Sequence, residues 1–321
     1  MNNVSIQGDV RYINYEFDVF SYPVLAASVP VLYIIPTIFV IAQIIRSYCS
    51  SLARGAEGPI KDHAFSIIII SQISSLCYML ADYCTIRVPS TGLITAWCAA
   101  QKPSHTLAYM FILSTYFNFT TMLFPILLTI LRLIPIYHPI RHKELAARLV
   151  YVSIPCILLY PWLFCFPFLT ALGVCQQLLG PYQFGAIYIF YRNSWHDIKL
   201  ANSLLFNVVF WLIVSSLANL ILYSKLKELG GKRKSLYLQR AERSLSITTF
   251  SMLSSYFANL AFMIAFVFWP TASSYLVALR PYGNDCYFVI VPWIFYFTHP
   301  VFRRRPDVSV IPIIKVIPAT T

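Results

Sequence analysis

Apolar residues in this chain fall into seven long runs separated by short polar stretches. They span Tyr22–Ile45, Ala64–Ile86, Thr106–Leu131, Leu149–Leu172, Ala201–Ser224, Leu245–Trp269 and Pro281–Thr298, with lengths from 18 to 26 residues. A helix rising 1.5 Å per residue needs about 20 residues to cross the hydrocarbon core of a bilayer. The runs are continuous rather than alternating, which predicts helices and not the strands of a membrane barrel. The seventh run is the shortest and carries Asn284 and Asp285 near its start, so its outer boundary stays open. Prolines inside the runs (Pro30, Pro36, Pro125, Pro155, Pro161 and Pro292) predict kinks. The longest connection, Gly173–Leu200, has 28 residues, too few for a separate soluble domain. The expected architecture is an all-α, seven-transmembrane helix bundle over residues 22–299, with tails at 1–21 and 300–321.

Composition strengthens the bilayer reading. Hydrophobic residues make up 58% of the 321 and charged residues 11%, against roughly 25% charged in soluble domains. Mean hydropathy is +0.67. The net charge of +12 would fit nucleic-acid binding in a soluble chain. Here the bases lie between apolar runs, so they report orientation and contact with membrane lipid, and no nucleic-acid partner is expected. The 46–63, 132–148 and 225–244 loops and the tail after 299 hold 18 of the 24 Lys and Arg; the other side holds six. The positive-inside rule puts the N-terminus outside and the C-terminus in the cytoplasm. Residues 1–21 carry Asp9, Glu16 and Asp18 against Arg11, the reverse of a signal-peptide start, so the first run is expected to be a retained anchor.

Enzyme chemistry has little to rest on. The sequence offers no Gly-rich phosphate loop, no GxSxG elbow and no HExxH. His138 and His142 have a helical metal spacing, but they flank Pro139 in a basic loop, so neither metal nor cofactor is expected. Cys77, Cys84, Cys156 and Cys165 fall in spans and read as packed thiols; Cys49 is an ordinary juxtamembrane thiol or a palmitoylation site. Cys98 and Cys175 both fall in outside loops, where a disulfide or two free thiols fit equally. Asn3 begins a sequon on the outside tail and could carry a glycan.

Two ionisable residues lie within spans, Asp82 and Asp285, both near outer ends. Charges in a membrane are costly and tend to be functional; the alternative is that these two reach the interface or pair with Arg87 and Arg280. A small-ligand site combines polar tips with aromatic bodies, which makes Asp82, Tyr83, Tyr109, Tyr116, Asn284 and Asp285 the candidates.

Arg132 closes the third run in the segment Leu131-Arg132-Leu133-Ile134-Pro135-Ile136-Tyr137-His138-Pro139. The segment resembles the Asp-Arg-Tyr stretch of rhodopsin-like receptors, with Leu131 and Leu133 in place of the Asp and Tyr. Further phrases carry a closer resemblance. They include Tyr33-Ile34-Ile35-Pro36-Thr37, Leu172-Gly173-Val174-Cys175, Pro181-Tyr182-Gln183-Phe184-Gly185, Arg280-Pro281-Tyr282-Gly283-Asn284-Asp285 and Val291-Pro292-Trp293. As a set, over about residues 12–302, they resemble nematode serpentine chemoreceptors of the Srg superfamily, most closely class U. That resemblance implies a G-protein-coupled chemosensory receptor at the plasma membrane or cilium of sensory neurons. It would detect a small environmental or pheromone-like molecule and couple to a heterotrimeric G protein. Coupling would use Arg132, rimmed by Lys232, Arg233 and Lys234. The rival readings are a small-solute transporter or channel, which needs polar groups at mid-membrane depth, and an embedded enzyme, which needs a catalytic cluster.

Overall fold

The computed structural model describes residues 5–53, 63–192, 200–229 and 236–303, and its described part is mostly helical. Among the described residues, six stretches are long and apolar enough to cross a membrane, with mean hydropathy from 1.6 to 2.4 in their most apolar windows. A seventh long helix, Pro270–Thr298, follows them. We call the end of the bundle that bears the Cys98 and Cys175 loops the outer end, following the charge asymmetry.

The first helix runs Tyr22–Ala53 and the second His63–Asp82, continued by a π-turn Tyr83–Arg87 and a short turn Val88–Ser90. The third begins at His105, where the Ser104 side chain accepts from the Leu107 N–H as an N-cap. Pro125 cannot donate to the carbonyl four residues back, and the third helix opens at Met122–Leu123 before resuming as Phe124–Tyr137. The fourth runs from His142 to Leu159 and continues past Pro161 to Phe168. The fifth is Leu200–Leu229.

The sixth helix, Leu236–Ser251 and Ser254–Phe268, also opens, at Met252–Leu253, with no proline nearby. The cause lies in its hydroxyls. Thr248, Thr249, Ser251 and Ser255 each bond a backbone carbonyl three or four residues back, a pattern that loosens and bends helices. Tyr256 just beyond this opening donates to the Met122 carbonyl at the opening in the third helix.

Burial separates a centre from a rim. About two thirds of the apolar window is buried in the second and third helices, but only 17% in the fourth and 22% in the fifth. The exposed side chains of the rim helices are large and apolar, among them Tyr151, Leu163, Phe206 and Leu220. Water would oppose such a surface; lipid accepts it.

The elements differ from the sequence expectations at two places, and Cys84 and Cys156, expected to be packed thiols, are exposed. The seventh helix starts at Pro270, eleven residues before the apolar run does, and a single residue, Trp269, joins it to the sixth. The fourth helix ends at Phe168, and Leu172 begins a strand. Strands β1 (Leu172–Gln177) and β2 (Ile187–Arg192) form an antiparallel hairpin that pairs Cys175 with Ile189. The hairpin packs against the second and third helices.

Candidate functional site

The polar residues of the outer bundle converge on Arg87. In a regular α-helix two residues five apart point about 140° away from each other. The π-turn at Tyr83–Arg87 widens the helix by one residue and brings Arg87 back onto the face of Asp82. Its Nε donates to Asp82 Oδ2 at 3.0 Å. Its Nη1 and Nη2 donate to the two carboxylate oxygens of Asp285 at 2.8 and 2.6 Å, a bidentate pair with the seventh helix. Nη2 also donates to the Pro281 carbonyl at 3.1 Å. Arg87, Asp82 and Asp285 are all buried, at 5%, 2% and 4% exposure. The Tyr83 ring lies 4.8 Å from the guanidinium carbon, and Tyr33 of the first helix donates to Asp285.

A second layer adjoins the first. Asn284 donates to the Tyr78 hydroxyl at 2.8 Å and accepts from Asn259 of the sixth helix at 2.9 Å. Arg280 donates to Asn259 Oδ1 at 3.1 Å and stands over the Phe262 ring. The two layers contain two acids and two bases: Asp82, Asp285 and Arg87 are buried and ion-paired, while Arg280 is half-buried and bonded to Asn259. They tie together the first, second, sixth and seventh helices.

Of the six ligand candidates, Asp82, Tyr83, Asn284 and Asp285 therefore belong to one cluster. Tyr109 and Tyr116 do not. They are seven residues apart and so share a helix face, but that face looks away from the cluster. Tyr109 is 53% exposed; Tyr116 donates to the Leu158 carbonyl of the fourth helix and packs on Trp162. Arg87 lies nearest the centre, although the sequence suggested it only as a neutralising partner. The available signal was a lone Arg five residues past an intraspan Asp. Tyr33, Tyr78 and Asn259 carried no signal distinguishable from ordinary span residues.

An outer cap is built around the disulfide between Cys98 and Cys175, whose Cα atoms are 6.1 Å apart. The N-terminal segment adds to the hairpin edge: Ile6 N–H donates to the Cys175 carbonyl at 3.1 Å and Gly8 N–H to that of Ala99 at 2.9 Å. Tyr15 fits between Gly92 and Gly185, both at positive φ and both without room for a Cβ on the Tyr15 side. Tyr188 donates to Gln176 Oε1, and burial pushes its hydroxyl up to about 12, which keeps it a neutral donor. Replacing either Cys98 or Cys175 by Ala should lower thermal stability by about 2–4 kcal/mol. The double variant should be no worse than either single one, as read by melting in detergent; additive losses would count against a shared bridge. Asn3 lies outside the described residues.

At the inner end, Arg132 is buried at 8% exposure and its Nη2 donates to Ser246 of the sixth helix at 2.6 Å. The inner ends are also joined by Ser244 with Thr298 and by Tyr48 with Ser66. Lys232, Arg233 and Lys234 lie outside the described residues. Among those described, no group of three or more His, Cys, Asp or Glu is placed to hold a metal ion.

Comparison with known proteins agrees with this architecture. The family model described as Serpentine type 7TM GPCR chemoreceptor Sru matches residues 6–305. Serpentine receptor class U-26 of Caenorhabditis elegans is 36% identical over 261 residues, covering 80% of this chain and 89% of that protein. Both matches are to class U itself and do not bear on the wider Srg grouping. The chain is a multi-pass membrane protein that belongs to the Sru family of serpentine seven-transmembrane chemoreceptors.

Proposed function

We propose that this chain is a G-protein-coupled chemosensory receptor at the surface of sensory neurons, with its N-terminus outside and its C-terminus in the cytoplasm. A small molecule would act at the outer cluster, and the inner end of the third and sixth helices would pass the signal to a heterotrimeric G protein. The observation that carries this reading is the separation of two buried arginines. Arg87 is clamped at the outer end of the bundle and Arg132 is held by the sixth helix at the inner end. A ligand shifts the balance between two bundle arrangements only by its differential affinity for them, and the outer cluster touches four helices whose packing could differ.

The transporter reading needs charge at mid-membrane depth. The buried polar groups there are neutral. Asn207 and Asn219 each donate to a carbonyl four residues back on their own helix, and the Gln72 amide is buried with no partner in the protein.

The functional test is a screen of volatile and soluble odorants in cells that express the chain with a promiscuous G protein. Once an agonist is found, Ala at Tyr83 or Asn284 should shift its half-maximal dose at unchanged surface level; unchanged curves for both would remove the outer cluster from ligand sensing. Orientation is tested separately by glycosylation reporters on each end, with modification expected on the N-terminal one only. A glycosylated C-terminal reporter would reverse the topology.

A further inference from the structure

A small cleft opens between the first and seventh helices beside the Arg87 cluster. Its volume is about 50 Å³, and its walls include Pro23, Ala26, Ala27, Ala278 and Leu279. Three tyrosines border it, Tyr22 at the start of the first helix, Tyr282 of the seventh and Tyr182 from the hairpin loop. Arg87 is the one charged residue among the described residues of the lining.

The position of the cleft indicates how it is reached. The hairpin loop (Tyr182) and the end of the second helix (Ile86, Arg87, Ser90) close one side of the cleft, and its other side lies between the first and seventh helices. Its rim residues Tyr22 and Leu279 are 66% and 60% exposed, and Leu25, Val29 and Leu32 continue the exposed apolar surface along the first helix. Such a surface meets lipid. Tyrosines at a helix end belong at the headgroup level of the bilayer. The gap itself exists because the facing residues are small: Ala26 and Ala27 on the first helix, Ala278 on the seventh.

The chemistry of the lining limits the occupant. The Arg87 guanidinium already donates to Asp82, Asp285 and the Pro281 carbonyl, and no carboxylate is among the described lining residues. An anionic or cationic head would enter without a counter-charge, which is costly away from water. Neutral donors do face this region. Tyr282 donates to the Ala26 carbonyl, while the Tyr182 and Tyr22 hydroxyls have no hydrogen-bond partner among the described residues. A volume of 50 Å³ holds about three to four water-sized groups, so only a compact head fits inside and the remainder must lie along the lipid-facing side.

We propose that the cleft formed by Tyr22, Ala26, Tyr182, Ala278 and Tyr282 binds the neutral, hydrogen-bond-accepting head of an amphiphile taken up sideways from the outer leaflet, with its apolar tail against the first helix. This rests on the receptor reading above, and names the ligand class and its route of access.

The test uses the purified full chain in phosphatidylcholine nanodiscs and a medium-chain monoacylglycerol carrying a diazirine in its tail. Photolysis should label peptides containing Tyr22–Ala27 and Ala278–Tyr282, and excess unlabelled monoacylglycerol should suppress that labelling. The matching fatty acid and alkylamine should suppress it poorly. Ala278→Phe, which fills the gap, should reduce competable labelling about tenfold, the scale on which overpacking a fitted site acts. Ala26→Leu serves as the second filling variant, and both are used only with an unchanged melting temperature in the nanodisc. Labelling spread over all lipid-facing helices, competition by the charged analogues as strong as by the neutral one, or labelling unchanged in both variants would overturn the proposal. A water-soluble agonist that activates a G protein without displacing the probe would sink this inference and leave the receptor reading standing.

Discussion

Replacing Arg87 by Met is expected to remove most of the chain from the cell surface and to lower its melting temperature in detergent sharply. The residue is buried, and its guanidinium joins the second helix to both carboxylate oxygens of Asp285 on the seventh. Removing one partner of a buried ion pair leaves the other uncompensated, at a cost of about 3–5 kcal/mol. Here two carboxylates would lose their partner, and Asp285 would keep only the Tyr33 hydroxyl among its side-chain contacts. The double variant Arg87→Met with Asp285→Asn leaves one unpaired buried carboxylate, Asp82, instead of two. It should therefore be less damaged than Arg87→Met alone. A double variant that is worse by the sum of the single effects would mean that the two residues act independently, contrary to the geometry. Lysine at position 87 should rescue poorly, because an ammonium cannot make the bidentate contact.

Arg132→Ala is expected to abolish signalling while leaving surface level and agonist binding near those of the wild type. The side chain sits where the third helix meets the sixth, bonded to Ser246. For it to meet a cytoplasmic partner, that contact must open. The hydroxyl-loosened stretch at Met252–Leu253, six to seven residues beyond Ser246, supplies a place for the sixth helix to bend. Neutralising Lys232, Arg233 and Lys234 together should weaken coupling only partly, because rim charges mainly tune association rates. Normal signalling by the Arg132 variant would show that another surface carries the contact.

Much of this architecture is legible from hydropathy alone, and the failures have identifiable physical causes. Continuous apolar runs mark six helices because a lipid-facing helix cannot afford polar residues over much of its surface. The same logic hid the start of the seventh. The stretch Arg280–Asp285 is polar and left the outer boundary of the run open, yet its polar side chains are paired inside the bundle with Tyr33, Tyr78, Arg87 and Asn259, and the helix continues through them to Pro270. The hairpin had a signal that the span reading passed over: Ile187–Arg192 is a run of branched and aromatic residues following a Gly- and Pro-containing loop.

The site was harder to read. Asp82, Tyr83, Asn284 and Asp285 stood out as polar groups in apolar surroundings, and they do meet. Their meeting depends on the π-turn that re-aims Arg87, which no simple periodicity announces. Tyr109 and Tyr116 stand apart from it because polar and apolar residues are spread all round the outer part of the third helix, so its sequence does not reveal which face turns inward. Of the six span prolines, Pro125 and Pro161 coincide with openings, whereas Pro30, Pro36, Pro155 and Pro292 lie within unbroken helices. The opening in the sixth helix has no proline and lies in a Ser- and Thr-rich stretch instead.

The most direct test of the receptor reading is nucleotide exchange on a heterotrimeric G protein added to the purified chain in nanodiscs, measured across an odorant library. The account predicts at least one small molecule that accelerates exchange with the wild-type chain and fails to do so with Arg132→Ala, although both still bind it. A molecule that binds and drives solute or ion flux through liposomes containing the chain, with no exchange on any G protein tested, would contradict the account.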